Sequence, residues 1–288
     1  MFTTAEQRAV DQLSNHSGRL AVLAADQRTK LVAALESAGL PSDLDARRAF
    51  KLELVASLGA VAPALLLDPE IALPHVMDAG ALPGRTGVLV SLERSGERRS
   101  ADGLRGATLL PGVGADGVRR LGGTGAKLLL RLRPDREDTD GANGALLRAA
   151  VADCAAHHLL LVVEVLVFPL DDESEAAYTA RRPDLIREAA LLAESCGARY
   201  LKLEYPGSEA ACQAVTGALA RPWALLSAGV SHETFTDQLR IALAAGASGF
   251  IAGRSVWKEA MAISGEARRA FFAGEARRRL EELLTIAS

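Results

Sequence analysis

Lys202 lies in the run Tyr200-Leu201-Lys202-Leu203-Glu204, where apolar and polar side chains alternate. In a strand, that alternation puts Tyr200, Lys202 and Glu204 on one face and the two leucines on the other. Lys127, Leu129 and Arg131 oppose Leu128, Leu130 and Leu132 in the same way, and Glu164 shares a face with Leu160 and Val162. If helices sheathe the outside, the leucines face them and the charged side chains point to the centre. Two lysines and a carboxylate then converge from three adjacent strands. Taking such charges out of water costs on the order of several kcal/mol each. A set like this is therefore either chemical machinery or a structural ion network, since both perturb lysine and carboxylate ionisation. As machinery it suits carbonyl substrates. A neutral lysine can add to a carbonyl and form an imine, which withdraws electrons and allows the adjacent carbon–carbon bond to break. Lys202 is the candidate nucleophile. Lys127 is a neighbouring cation that favours the neutral amine, and Glu164 is a proton shuttle.

Eight short apolar runs are spaced along the chain: Leu20–Ala25, Pro63–Leu67, Gly87–Leu92, Ala126–Leu132, Leu159–Val165, Tyr200–Glu204, Trp223–Ser227 and Gly249–Ala252. Amphipathic stretches separate them. Leu185, Ala189, Leu192 and Cys196 recur at helical spacing before Gly197. Phe235, Leu239, Ala242 and Leu243 form another stripe, with Ser231 suited to cap its start and Gly246 to end it. Buried parallel strands joined by helices predict an α/β fold, a single (β/α)8 TIM barrel over residues 1–288. Arg94–Gly125, rich in Gly and Arg, is read as a long loop after the third strand with a short helix near Ala115–Leu121. Ser264–Ser288 is read as a charged C-terminal helical extension covering one end of the barrel or a neighbouring subunit. A homo-oligomer is the expected assembly.

The composition fits this picture. Hydrophobic residues make up 49% of 288 residues, enough for a substantial core, and aromatics only 4%, so Ala, Val and Leu must fill it. A net charge of −3 argues against nucleic acid as a partner. No apolar run suits a bilayer, and the N-terminal stretch lacks a signal-peptide pattern, so no membrane partner and a cytoplasmic location are expected. Cys154, Cys196 and Cys212 lack CxxC spacing. Neither a disulfide framework, nor a metal site, nor any cofactor is expected.

Loops at two late strand ends carry glycines and a cation: Ser227-Ala228-Gly229-Val230 and Ala252-Gly253-Arg254-Ser255. Loops after the seventh and eighth strands of such barrels often cradle a phosphate. Ser227, Gly229, Gly253 and Arg254 are therefore candidate anion ligands, although tight turns alone would look the same. Asp26 and Gln27 at the end of the first run can orient substrate hydroxyls, or Asp26 can cap the next helix. Asp68-Pro69-Glu70 reads as a turn. Gly122-Gly123-Thr124-Gly125-Ala126-Lys127 lacks a Gly-Lys-Ser/Thr ending and leads into a strand, so it is not a nucleotide-phosphate loop. His157-His158 is read as a helix end, and Arg277-Arg278-Arg279 as a solvated face beside Glu281 and Glu282.

Taken in order, Leu23-Ala24-Ala25-Asp26-Gln27-Arg28, Leu66-Leu67-Asp68-Pro69-Glu70, Gly125-Ala126-Lys127, Glu164, Leu201-Lys202-Leu203-Glu204, Leu226-Ser227-Ala228-Gly229-Val230 and Ala252-Gly253-Arg254-Ser255-Val256-Trp257 carry a resemblance. The chain resembles the class I aldolases that include tagatose 1,6-bisphosphate aldolase and sulfofructosephosphate aldolase. The resemblance implies reversible cleavage of a phosphorylated ketose, a ketohexose 1-phosphate, into dihydroxyacetone phosphate and a three-carbon aldehyde. It matches Lys202 to the imine-forming lysine, Glu164 to the proton shuttle and Lys127 to the assisting cation. Asp26 and Gln27 match hydroxyl contacts, and Ser227, Gly229, Gly253 and Arg254 match anion ligands. Pro222-Trp223 and Ala247–Trp257 look more like the sulfosugar enzyme, and Leu67-Asp68-Pro69-Glu70 like the tagatose enzyme. The preferred substrate is 6-deoxy-6-sulfofructose 1-phosphate, which would yield 3-sulfolactaldehyde, with tagatose or fructose 1,6-bisphosphate as the alternative. A sugar-phosphate-binding regulatory protein without catalysis is the alternative of a different class.

Overall fold

A computed structural model describes residues 2–288. The strands are β1 (Leu20–Ala25), β2 (Ala64–Leu67), β3 (Gly87–Ser91), β4 (Arg98–Arg99), β5 (Arg105–Gly106), β6 (Gly125–Arg131), β7 (Leu160–Leu166), β8 (Tyr200–Leu203), β9 (Trp223–Leu226) and β10 (Gly249–Ala252). All except β4 and β5 join one closed barrel in the order β1-β2-β3-β6-β7-β8-β9-β10, with β10 returning to β1. Every pairing in it is parallel. The eight expected strands lie where the apolar runs placed them, within one residue at each end, and the (β/α)8 barrel is the observed fold. Those runs are legible because a parallel strand covered on both faces needs apolar residues at nearly every position.

Helices α1 (Thr4–Gln12), α2 (Thr29–Ser37), α3 (Leu44–Leu58), α4 (Leu73–Asp78), α5 (Ala115–Arg120), α6 (Ala142–Ala156), α7 (Glu175–Ser195), α8 (Glu209–Ala218) and α9 (His232–Ala244) follow in turn. Ser231 caps α9, its hydroxyl accepting the Thr234 N–H. Outward side chains such as Leu128, Leu130, Leu201 and Leu203 join the helices in one apolar layer. Leu160, Val162, Tyr200, Leu89 and Ile251 fill the barrel interior together with Ala9 and Leu13. Ala9 belongs to α1 and Leu13 follows it, so the N-terminal helix plugs the end opposite the C-terminal strand ends.

Three expectations need correction or addition. The loop after β3 is not irregular throughout, because β4 and β5 pair as a small antiparallel hairpin. The C-terminal extension follows α10 (Arg254–Trp257) as α11 (Gly265–Phe271), a π turn (Phe272–Ala276) and α12 (Arg277–Ile286). It covers the barrel's flank rather than an end. The π turn packs on α3 and α12 on α9, burying Phe272, Leu280 and Leu283. Arg277 and Arg278 are solvated, but Arg279 is largely covered; it bonds Glu259, Glu275 and the Val256 carbonyl.

Candidate active site

Barrel closure brings Lys202, Glu164 and Lys127 to one point. Glu164 on β7 is the direct cross-strand partner of Lys202 on β8, so the two side chains rise together on the inner face. Lys127 on β6 pairs with Val162, one inward position below Glu164, and its long side chain reaches up. Glu164 Oε2 lies 2.8 Å from Nζ of both lysines. Lys127 Nζ also donates to Asp26 at 2.9 Å and to Glu93 at 2.7 Å. The three expected residues are one ion-paired cluster, and Asp26 belongs to it. Asp26 therefore caps no helix: α2 begins at Thr29 without a side-chain cap.

The charges in this cluster hold one another ionised. Burial alone would raise the Glu164 pKa, but Lys127 and then Lys202 reverse the effect and lower it. Burial likewise works against the Asp26 carboxylate, yet the same lysines hold it well below the usual carboxylate range. Burial would lower the Lys127 pKa, but Asp26, Glu164 and Glu93 drive it well above the ordinary lysine value. Opposite charges at hydrogen-bond distance outweigh desolvation here. Lys127 is thus a fixed cation surrounded by three acceptors. Its field helps to keep Glu164 an anion.

The cluster forms the floor of a cavity of about 640 Å³ at the C-terminal end of the strands. All nine expected site residues line it: Lys202, Glu164, Lys127, Asp26, Gln27, Ser227, Gly229, Gly253 and Arg254. Eight basic side chains and five acidic ones face it, so the cavity is positive within a chain of net charge −3. That contrast favours an anionic ligand. Gln27 Oε1 is buried and has no hydrogen-bond partner, which leaves an acceptor for a ligand hydroxyl. At the far wall, Ser227 Oγ accepts the Gly253 N–H at 3.3 Å and Arg254 Nη2 donates to the Ala228 carbonyl at 3.2 Å. Ala228 has φ of 50° and Gly229 φ of 85°. A left-handed alanine is strained, and such strain gathers at ligand sites. A side chain at 229 would collide with the Arg254 guanidinium, 2.9 Å from where its Cβ would stand. A side chain at 253 would meet the Ala24 carbonyl at 2.7 Å. These glycines let backbone and guanidinium share one small space.

Several contributors lay outside the sequence expectations. Glu93, two residues past β3, accepts from Lys127 and from the Leu129 N–H. Its only signal was its position, at the entry to the Gly/Arg-rich segment, two residues beyond Ser91 on the inward face. Lys51 on α3 is fully buried; it donates to the Ala25 carbonyl and to Asp68 at 3.1 Å, anchoring the chain beside Asp26. Asp68 is indeed in a turn, accepting the N–H groups of Glu70 and Ile71. Arg28 ties Glu70 to the Glu93 carbonyl and so clamps three strand ends together. Glu204, on the Lys202 face, also lines the cavity and is held by Arg182 at 2.8 Å. Among the described residues no group of three or more His, Cys, Asp or Glu side chains converges as a metal site, and no helix is long and apolar enough to cross a membrane.

Comparison with known proteins adds an independent finding. The DeoC/LacD family of aldolases matches residues 20–259. A tagatose 1,6-diphosphate aldolase of Staphylococcus epidermidis is 28% identical over 294 positions, spanning 91% of this chain and 88% of the relative. Tagatose 1,6-diphosphate aldolase 2 of Enterococcus faecalis is 29% identical, spanning 89% and 84%. The solved structure of an archaeal fructose-1,6-bisphosphate aldolase, its catalytic Lys bound to a carbinolamine intermediate, superposes with a TM-score of 0.65. It is 16% identical and covers 96% of this chain and 99% of its own.

Proposed function

The chain belongs to the DeoC/LacD family of aldolases, and on that premise we propose that it is a class I aldolase that cleaves a ketohexose 1,6-bisphosphate through an imine on Lys202. The products are dihydroxyacetone phosphate and glyceraldehyde 3-phosphate. The tagatose-cleaving relatives favour a phosphate at the remote end over the sulfonate preferred from sequence. Nothing in the comparisons supports the sulfosugar.

The observation that carries this reading is one carboxylate oxygen shared by two buried lysines at the cavity floor. Glu164, held as an anion, takes a proton from Lys202 and leaves a neutral amine. The amine adds to the C2 carbonyl to form a carbinolamine. Glu164 returns the proton to the departing hydroxyl, water leaves, and an iminium remains. Removal of the C4 hydroxyl proton by Glu164 breaks the C3–C4 bond, and the electron pair moves into the iminium as an enamine. The aldehyde departs. Protonation at C3 and hydrolysis then release the ketone and restore Lys202. Asp26 and Gln27 orient the hydroxyls, and Ser227, Gly229, Gly253 and Arg254 hold the 1-phosphate. Lys127 favours the anionic form of Glu164, to which the carboxyl group returns each time it gives up a proton.

Borohydride reduction in the presence of dihydroxyacetone phosphate tests this. The expected result is irreversible inactivation and one adduct, located by peptide mass at Lys202. An unlabelled enzyme, or label on another lysine, would overturn the assignment.

A further inference from the structure

The cavity holds a second cationic grip that no step above uses. Arg131, the last residue of β6, lies on the same inward face as Lys127, four residues closer to the rim and so roughly 13 Å along the strand. Its Nε is 3.0 Å from Glu97 Oε2. Arg105, from β5 of the hairpin, places Nη1 3.3 Å from Glu97 Oε1. Two guanidinium groups thus hold the two oxygens of one carboxylate, which is how arginines clamp an anion. The Arg105 guanidinium lies 4.5 Å over the buried Phe168 ring, which fixes its plane. All three charged side chains are about three-quarters covered, and all three line the cavity. Lys30 also lines the cavity. Partial burial lowers its pKa first, followed by the fields of Arg254 and Arg131.

Resting on the imine reading, we propose that Arg131 and Arg105 receive the anionic group at the substrate end remote from the carbonyl, and that Glu97 occupies this subsite until substrate displaces it. The ligand group is a tetrahedral oxyanion, a phosphate or a sulfonate, at C6 of a ketose 1-phosphate. The charge balance supports this. Two arginines against one carboxylate leave one positive charge over; a phosphate dianion cancels both charges, and a sulfonate, equal in charge to Glu97, brings a third acceptor oxygen. Glu97 is carried by the hairpin segment, so its departure moves a loop and leaves the barrel wall in place. The hairpin therefore both supplies one arginine and blocks the pair it completes.

Binding is measured in the Lys202→Met variant by calorimetry, so the result does not depend on turnover. The ligands are fructose 1-phosphate, fructose 1,6-bisphosphate and 6-deoxy-6-sulfofructose 1-phosphate. At least one bis-anionic ligand is expected to bind ten times more tightly than fructose 1-phosphate, and which one identifies the oxyanion. Adding Arg131→Met should collapse that ratio to within about threefold. Adding Glu97→Gln should tighten the bis-anionic ligand at least threefold. Equal affinity for all three ligands, or an Arg131→Met effect of equal size on each, overturns the subsite. Borohydride labelling of the wild-type chain fails only if the imine reading fails, so the two ideas fall separately.

Discussion

Replacing Lys127 with methionine isolates the electrostatic core of the site. The side chain is only 2% exposed, and its ammonium contacts Asp26 at 2.9 Å, Glu93 at 2.7 Å and Glu164 at 2.8 Å. Methionine keeps most of the volume and removes the charge. Removing one partner of a buried ion pair costs about 3–5 kcal/mol, because the other charge is left uncompensated. Three carboxylates lose their common partner here, so the upper part of that range is expected at pH 7. The pH dependence is the sharper signature. In the wild type the Asp26 and Glu164 pKa values are depressed, so their stabilisation is full above the unfolded carboxylate range and is lost as pH falls through the folded values. Without Lys127, burial dominates and raises those pKa values. The folded variant then binds protons more readily than its unfolded chain, and its stability rises as pH falls from 7 toward 5. Each proton taken up recovers about 1.4 kcal/mol per pH unit. Urea unfolding at pH 7, 6 and 5, followed by the fluorescence of the buried Trp223 and Trp257, measures the gap. A gap that stays constant or widens on acidification would refute this account of the cluster, as would a variant as stable as the wild type at pH 7.

Glu164→Gln should lower kcat about a hundredfold or more, the scale of a lost general acid–base; steady-state cleavage rates near wild type would reassign the proton shuttle. Lys51→Met should cost about 3–5 kcal/mol by leaving the fully buried Asp68 unpaired. Lys51→Met with Asp68→Leu should recover most of that loss in urea unfolding, and strictly additive losses would contradict the pairing. Gly229→Ala puts a Cβ 2.9 Å from the Arg254 guanidinium at a φ of 85°. It should raise KM for the phosphorylated substrate at least tenfold, and an unchanged KM would remove this loop from the 1-phosphate site. At the alkaline end, the raised Lys127 pKa gives stability that is complete below the ordinary lysine value and is lost as pH rises through the folded one. Urea midpoints that fall between pH 8 and 9 would count against it.

The strand pattern was readable along the chain because it is local. A buried parallel strand writes itself as a short apolar run, and a lysine at an alternate position of such a run has only the barrel interior to face. Lys202, Glu164 and Lys127 were found that way, and the glycines at the last two strand ends by their place before the following helices. Periodicity states which way a side chain points, but not what it meets. Asp26 and Lys127 lie 101 residues apart, and they touch because closure brings the end of β1 opposite β6 across the barrel mouth. Glu93 follows an apolar run into a Gly/Arg-rich stretch and has no period of its own. Lys51 sits on a helix where a lysine ordinarily marks solvent, and only packing of that helix against β1 and β2 reveals a buried pair with Asp68. Glu97 sits in a loop whose hairpin returns across the cavity to Arg131, a contact that no spacing rule encodes. Local alternation set the inner face of each strand, whereas the ring of eight strands selected which charges would meet.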